Sequence, residues 1–559
     1  MMEKSLVVLT LVLSTNLSAD VDLDMVNRIR EHGFYNSQVM DTLQYLSDVI
    51  GPRLSGSPQL KEANEWTRDQ LVDWGLENGH LEGFDFGRGW SYQSASIDLI
   101  SPRQTSFHGI PVAWTPATKG TIEAEVIYVD AVTANELVRY RGQLRGKIVL
   151  LSEKRDLGTP DNDVFVRRES SDLTELTEFD IDRGPSHSRA TAAQRDGRLQ
   201  RYHFRRALSD FLSEEGAIAG VMSSSRDGGL IDVFGFDHRV GSTFSVPTMI
   251  IEAEQYNMIM RLIDLNQTPT LRMNLDSTFH DDDTNNYNTI AEIPGEGNNP
   301  EIVMVGAHLD SWHASTGSVD NGAGVAITME AIRILAALDI KPKRTIRIAL
   351  WAGEEQGLHG SYNYVKDHFV SRPKPIDETE RALPRRYWSS PGWPIEKKSE
   401  YDKLSAYFNI DNGSGRIRGI YTEGNAAVKP LFKSWFGPFS DLAASTITLQ
   451  ATGGTDHESF DDVGLPGFQF IQDRLDYMTR LHHTHIDSFD HVMEDDVIQA
   501  STILAHFLYQ AAMMDDRIPR EPIPTGPSLR QLKKAAEEAA RERRNRERTA
   551  NRNLDTNPN

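Results

Sequence analysis

The chain has 559 residues, more than one hydrophobic core usually serves, so two folded units with extensions are expected. With 39% hydrophobic and 25% charged residues it has the composition of a soluble globular protein, which argues against wholesale disorder and a multi-span membrane protein. A formal charge of -22 argues against a general nucleic-acid binder, and the absence of cysteine rules out disulfides and thiolate metal sites, so any metal must sit on His, Asp and Glu.

Met1-Met2-Glu3-Lys4, an apolar run from Leu6 to Leu13 and small residues up to Ala19 have the layout of a signal peptide over 1–19, so a secreted or periplasmic protein is expected. Val26 to Leu46 reads as helix and Ile50 to Pro58 as a Gly/Pro/Ser loop. Leu60, Ala63, Thr67, Leu71 and Trp74 then recur at helical spacing, with Gly75 as the stop. From about Thr121 short apolar strands follow at 126–129, 146–151, 217–222 and 246–251, a β-rich insert over 121–269. Inside it the charged stretch 153–201 is expected to be a long surface loop.

From Pro300 strand and helix alternate. Ile302 to Ala307 is a continuous apolar run, as in a strand buried on both faces; Val325, Met329, Ile332 and Leu335 mark a helix face; Thr345 to Trp351 and Leu404 to Ile410 supply further strands. Such alternation implies right-handed crossovers and an α/β fold with a mostly parallel central sheet flanked by helices, built from the discontinuous segments 20–120 and 270–516. A last helix at 495–514 precedes a Pro-rich linker and a charged tail, together 517–559.

The apolar strand at 302–307 runs directly into His308 and Asp310, side chains that a core strand does not need for packing. In open α/β sheets ligands bind at the carboxyl ends of the strands. Asp320 precedes Asn321-Gly322-Ala323-Gly324, a small-residue turn that lets backbone approach a bound group closely. The next strand ends in Glu354-Glu355; adjacent carboxylates there repel unless a cation separates their tasks, one ligating a metal while the other takes a proton from water. Asp411 follows a third strand, and His482, His483 and His485 form a late cluster. A nitrogen- and oxygen-rich set of this kind suits zinc, with cobalt or manganese as substitutes.

The segments Gly306-Ala307-His308-Leu309-Asp310, Ser318-Val319-Asp320-Asn321-Gly322-Ala323-Gly324, Ala352-Gly353-Glu354-Glu355-Gln356-Gly357, Gly453-Gly454-Thr455-Asp456-His457 and His483-Thr484-His485-Ile486-Asp487 resemble the di-zinc aminopeptidase family that includes bacterial leucyl aminopeptidases and plasma glutamate carboxypeptidase. Ile50-Gly51-Pro52-Arg53-Leu54-Ser55-Gly56-Ser57 and Trp74-Gly75-Leu76-Glu77-Asn78 are similar to the plasma branch in particular. The resemblance implies the zinc exopeptidase fold and two Zn2+ per chain, with Asp320 bridging, His308 and Asp411 completing one site, and Glu355 and His483 the other. It further implies that Glu354 is the general base, that Asp310 orients His308, that Asp456 and His457 support the site, and that the insert is a protease-associated domain.

Peptides or dipeptides are the implied substrates, cleaved at the N-terminus, with carboxypeptidase-type cleavage as the alternative. A homodimer is compatible with the family. A non-catalytic relative lacks the metal centre, whereas every ligand position is filled here; a glutaminyl-cyclase-like enzyme would use one zinc rather than two. The segment 371–403, with Arg385-Arg386-Tyr387-Trp388, departs from close relatives between two strands that end in proposed ligands, where it is placed equally well to overhang the site or to decorate the surface.

Overall fold

The structure, a computed structural model, describes residues 21–158, 163–178, 192–297, 300–388, 392–523 and 525. The expected signal peptide and the tail from 526 lie outside the described residues. Among these residues no helix is long and apolar enough to cross a membrane.

The catalytic-type sheet has eight strands: β1 (Glu77–Asp85), β2 (Asn285–Ile293), β3 (Ile302–His308), β4 (Thr345–Trp351), β5 (Leu404–Asn409), β6 (Ile417–Tyr421), β7 (Thr446–Thr448) and β8 (Gly467–Gln472), in the order β1-β2-β4-β3-β5-β8-β6-β7. The four central strands β4, β3, β5 and β8 are mutually parallel, and antiparallel pairings flank them. Their carboxyl ends therefore lie side by side.

Both faces of this sheet are covered. In β3, Val303, Val305 and Ala307 face one core while Ile302 and Met304 face the other, so the period of two survives in a strand apolar throughout. The first core holds helix α3 (Ala323–Ala337), buried nearly all round as its sequence requires, packed against α5 (Glu494–Met513), which α1 (Leu23–Tyr35) also contacts. The second core is aromatic: Tyr364 of α4 (His359–His368), Tyr407 and Phe460 surround Trp351, and Phe369 packs on Tyr364 and Phe460. Helix α2 (Pro58–Asp73) begins where the sequence directs, with Ser57 accepting from Leu60 N at 3.2 Å and Pro58 in the first turn.

A second eight-stranded sheet takes the strands Thr105–Phe107, Gly89–Ser101, Thr270–His280, Ile122–Tyr128, Ile148–Leu150, Ala219–Ser223, Thr248–Ile251 and Gly109–Pro111 in that order. It extends from Gly89 to His280, beyond the 121–269 read from the sequence. Its two longest strands pair antiparallel from Gly89↔His280 to Ser101↔Thr270 and continue the β1–β2 pairing, so one ribbon links the two sheets. These strands, half exposed and rich in Ser, lack the apolar runs that marked the rest of the insert.

Two other expectations are corrected. The stretch 153–201 is not a continuous loop, because helices occupy Ser170–Thr177 and Ala192–Glu215; the second hides a buried face of Tyr202, Leu208 and Leu212 among arginines. The helix expected from Val26 to Leu46 breaks at Asn36 and resumes at Val39.

Candidate metal centre

Four neighbouring strand ends and one turn bring the predicted donors together. His308 is the last residue of β3, Glu354 and Glu355 follow β4, Asp411 follows β5, and His483 lies in the loop after β8. Asp320 comes from the turn between β3 and α3. Gly324 permits that turn to close on β5, since a Cβ there would lie 2.2 Å from Asn321 Oδ1 and 2.7 Å from Ile410 O. Asn321 Nδ2 donates to Ile410 O at 2.9 Å, which holds Asp320 beside Asp411.

Asp320 divides the site in two. His308 Nε2 lies 3.4 Å from Asp320 Oδ1 and 3.5 Å from Asp411 Oδ1. On the other side His483 Nε2 lies 3.7 Å from Asp320 Oδ2 and 2.9 Å from Glu355 Oε2. Asp320 Oδ2 and Glu355 Oε1 are buried without a hydrogen-bond partner among the described residues, which leaves acceptor lone pairs directed into this space. Burial pushes Glu354 and Glu355 well above the usual carboxylate range, and the surrounding carboxylates add to it. Burial opposes protonation of His308, but Asp411 and Glu354 outweigh it and raise that ring. So much negative charge in a closed space is a fit for cations, which would relieve the repulsion.

The surroundings fix the donors. His308 Nδ1 lies 2.9 Å from Asp310 O, which directs Nε2 inward. The Asp310 carboxylate itself accepts from Ser55 Oγ at 2.9 Å and from the backbone N–H of Glu354 and Glu355 at 3.2 and 3.3 Å, tying β3 to the acidic turn after β4. Asp456 is buried, its carboxyl pushed up to about 7 by that burial, while His457 turns toward Thr452 O at 3.2 Å and Glu423 at 3.5 Å rather than toward the donors.

Several residues with a part in the site had no assigned role. Asp487 accepts from Val319 N at 2.7 Å and Asp320 N at 3.0 Å, so it aims the dividing carboxylate; it stood in the His483 motif as a conspicuous acid. Arg53 is fully buried and donates to Leu309, Gly51, Thr316 and Gly317 carbonyls at 2.7–3.0 Å, pinning the loops around β3; its only signal was a lone cation in a Gly/Pro loop. Arg226 donates to Met478 O at 3.0 Å and His482 O at 3.1 Å, and Val233 N to His483 O at 3.0 Å, so the insert holds the loop that carries His483. No local sequence pattern predicts that long-range contact. His483 itself has φ of 63°, a left-handed conformation costing a non-glycine about 1–3 kcal/mol. His482 stacks on it at 3.7 Å between ring centroids and also comes within reach of Asp320.

Residues 288–508 match the model of peptidase family M28. The matched span contains all of the donors, and the chain is a metallo-exopeptidase. Over 506 residues it is 26% identical to carboxypeptidase Q of Rattus norvegicus, with 90% of each chain covered. The crystal structure of a peptidase M28 precursor from Shewanella amazonensis is similar with a TM-score of 0.62 and 23% identity, over 90% of this chain and 99% of that one. BSAP, a zinc aminopeptidase from Bacillus subtilis, matches with a TM-score of 0.53 and 18% identity over 86% and 96% of the respective chains. The family resemblance and the α/β architecture read from the motifs both hold.

Proposed function

We propose that the chain is a di-zinc exopeptidase that releases the N-terminal residue of peptides or splits dipeptides, with Asp320 shared between two Zn2+, His308 and Asp411 on one and Glu355 and His483 on the other. The observation that carries this reading is the placement of Asp320, whose two oxygens face two separate His–carboxylate pairs. Bound there, the metals would supply Lewis acidity to the scissile carbonyl and to the attacking water. Glu354 takes the proton from that water and returns it to the departing amine, a task suited to a carboxylate whose burial raises its proton affinity. Asp310 and Asp487 position His308 and Asp320 and do not touch substrate.

Cleavage at the carboxyl end is the second reading, favoured by similarity to carboxypeptidase Q across 90% of the chain. In either case the insert acts as a protease-associated domain in shaping the site, through Arg226 and Val233. Metal analysis of the purified protein with a panel of amino-acid amides, dipeptides and N- or C-blocked peptides tests both. Two metals per chain and activity that N-blocking abolishes support the N-terminal reading. Turnover of N-blocked but not C-blocked peptides overturns it in favour of the second.

A further inference from the structure

A cavity of about 380 Å³ lies where the helix Ala192–Glu215, the insert loop around His238 and the segment 371–403 meet the loop leading into α4. Its lining is cationic in a chain of formal charge -22: six arginines against the three carboxylates of Asp85, Asp210 and Asp237. Asp237 is taken by Arg239 at 2.6 Å. Arg385 is committed as well, donating to Gly357 O at 2.6 Å and lying 3.8 Å above the Tyr362 ring.

Arg205 and Arg386 are different. Arg205 lies over the rings of Phe234 and Phe236 at 5.4 and 6.0 Å and Arg386 over Tyr387 at 5.8 Å, and neither forms an ion pair with a carboxylate among the described residues. Both are exposed to solvent in the cavity mouth. Deeper in, His238 is 7% exposed and its Nδ1 has no hydrogen-bond partner among the described residues. Burial lowers that ring to about 4, so it is neutral at neutral pH and adds a polar contact without adding charge.

The cavity is also joined to the metal centre by a wall of rings. His238 stacks on Phe86 at 4.0 Å and meets Trp114 at 5.4 Å, Trp114 meets Trp312 at 6.4 Å, and Trp312 meets His483 at 5.9 Å. Arg385 fastens the segment 371–403 to Gly357, three residues beyond Glu354. Phe86 and Trp114 are buried, so these rings form an internal wall that ties the rim of the cavity to the metal centre.

We propose that this cavity is a carboxylate-recognition site, in which Arg205 and Arg386 bind an acidic side chain or free carboxylate of a peptide whose scissile bond lies at the metal centre. The inference deepens the exopeptidase reading and rests on it for the identity of the ligand. Guanidinium groups that stack on rings but have no carboxylate partner among the described residues suit this role, because a bidentate carboxylate satisfies their fork of donors.

The test compares kcat/KM for matched peptides that carry glutamate or glutamine away from the scissile bond, in the wild type, R205A/R386A, R386K and the control R272A. R272A removes an exposed arginine that pairs with Glu123 on the insert sheet. Wild type is expected to favour the acidic peptide by about tenfold or more, mainly through KM, and the double variant to lose that ratio. R386K should keep part of the ratio and R272A all of it. A ratio near one in the wild type, or an unchanged ratio in the double variant, overturns the proposal. Calorimetric titration of the zinc-loaded protein with succinate and with inorganic phosphate separates the sources: phosphate binding that the double variant abolishes, without any acidic-peptide preference, marks a free-anion site and overturns the peptide assignment. If no peptide is turned over, the exopeptidase reading fails, and the same titrations still decide whether these arginines bind a carboxylate.

Discussion

The two halves of the metal centre are built by different means. His308, Asp411 and the Glu354–Glu355 turn sit at the ends of adjacent parallel strands, where sheet hydrogen bonds and two packed cores already fix the backbone. His483 sits in an irregular loop, in a left-handed conformation, held by Arg226 and Val233 from the connection between Ala219–Ser223 and Thr248–Ile251 of the insert. The strand-end half is a consequence of the fold, whereas the loop half needs a contact between distant parts of the chain. The first should tolerate remote mutations that the second does not.

The sharpest probe of the strand-end half is Glu354→Gln. Loss of the base should lower kcat by about 10²–10⁴-fold while metal content stays near two per chain, measured by mass spectrometry of the metal alongside steady-state rates. Retained wild-type turnover would reassign the base. His483→Ala should remove only the loop half: bound metal falls toward one per chain and activity falls with it, while far-ultraviolet circular dichroism is unchanged. Equal loss of both metals would mean that the halves are not separable.

Arg226→Ala touches neither metal nor substrate and should still weaken the metal shared by Glu355 and His483 by about tenfold, the range seen when groups orienting a ligand are removed. Competition with a chelating dye measures this. An identical metal affinity would show that the insert is dispensable for the loop. Smallest is a pH effect away from the site. His368 lies between Glu82 at 2.9 Å and Glu400 at 3.1 Å, and the hydrogen bond to Glu82 is the largest cause raising its pKa above the ordinary value. The stabilisation is full below the unfolded value of about 6.5 and is lost as pH rises through the higher folded value. Thermal midpoints of wild type and His368→Gln should therefore differ most near pH 6 and converge in alkali; a constant difference would mean that packing on Tyr364, not charge, is at stake.

What could be read in the sequence follows the same division. Strands β3, β4 and β5 announce themselves as apolar runs, and the polar residues that end them stand out because nothing in a core requires them. His308, Asp320, Glu354, Glu355 and Asp411 are legible for that reason. His483 was chosen among three histidines only through the family pattern, since no periodicity governs a loop. Arg226 carried no usable signal and Arg53 only that of a lone cation in a Gly/Pro loop: each acts largely through backbone carbonyls distant in sequence, and a carbonyl has no residue identity to recognise. The ribbon Gly89–Ser101 with Thr270–His280 was missed because a two-stranded, half-exposed ribbon needs no apolar run. The helix Ala192–Glu215 was missed because its arginines mask its buried stripe, and those arginines line the cationic cavity.

The single ribbon joining the two sheets gives the molecule the outward form of a removable module, since the chain leaves at Gly89 and returns at His280 on paired strands. Excision there with a short turn from Phe86 to Asn285 would leave every strand of the catalytic-type sheet in place. Yet the excised piece returns to grip residues 478–485, so it works as a clamp closed at both ends. Substitutions in the outer strands of this insert should therefore leave the metal centre intact, whereas changes at the few residues that grip the loop, Arg226 and Ile231 to Val233, should reach it.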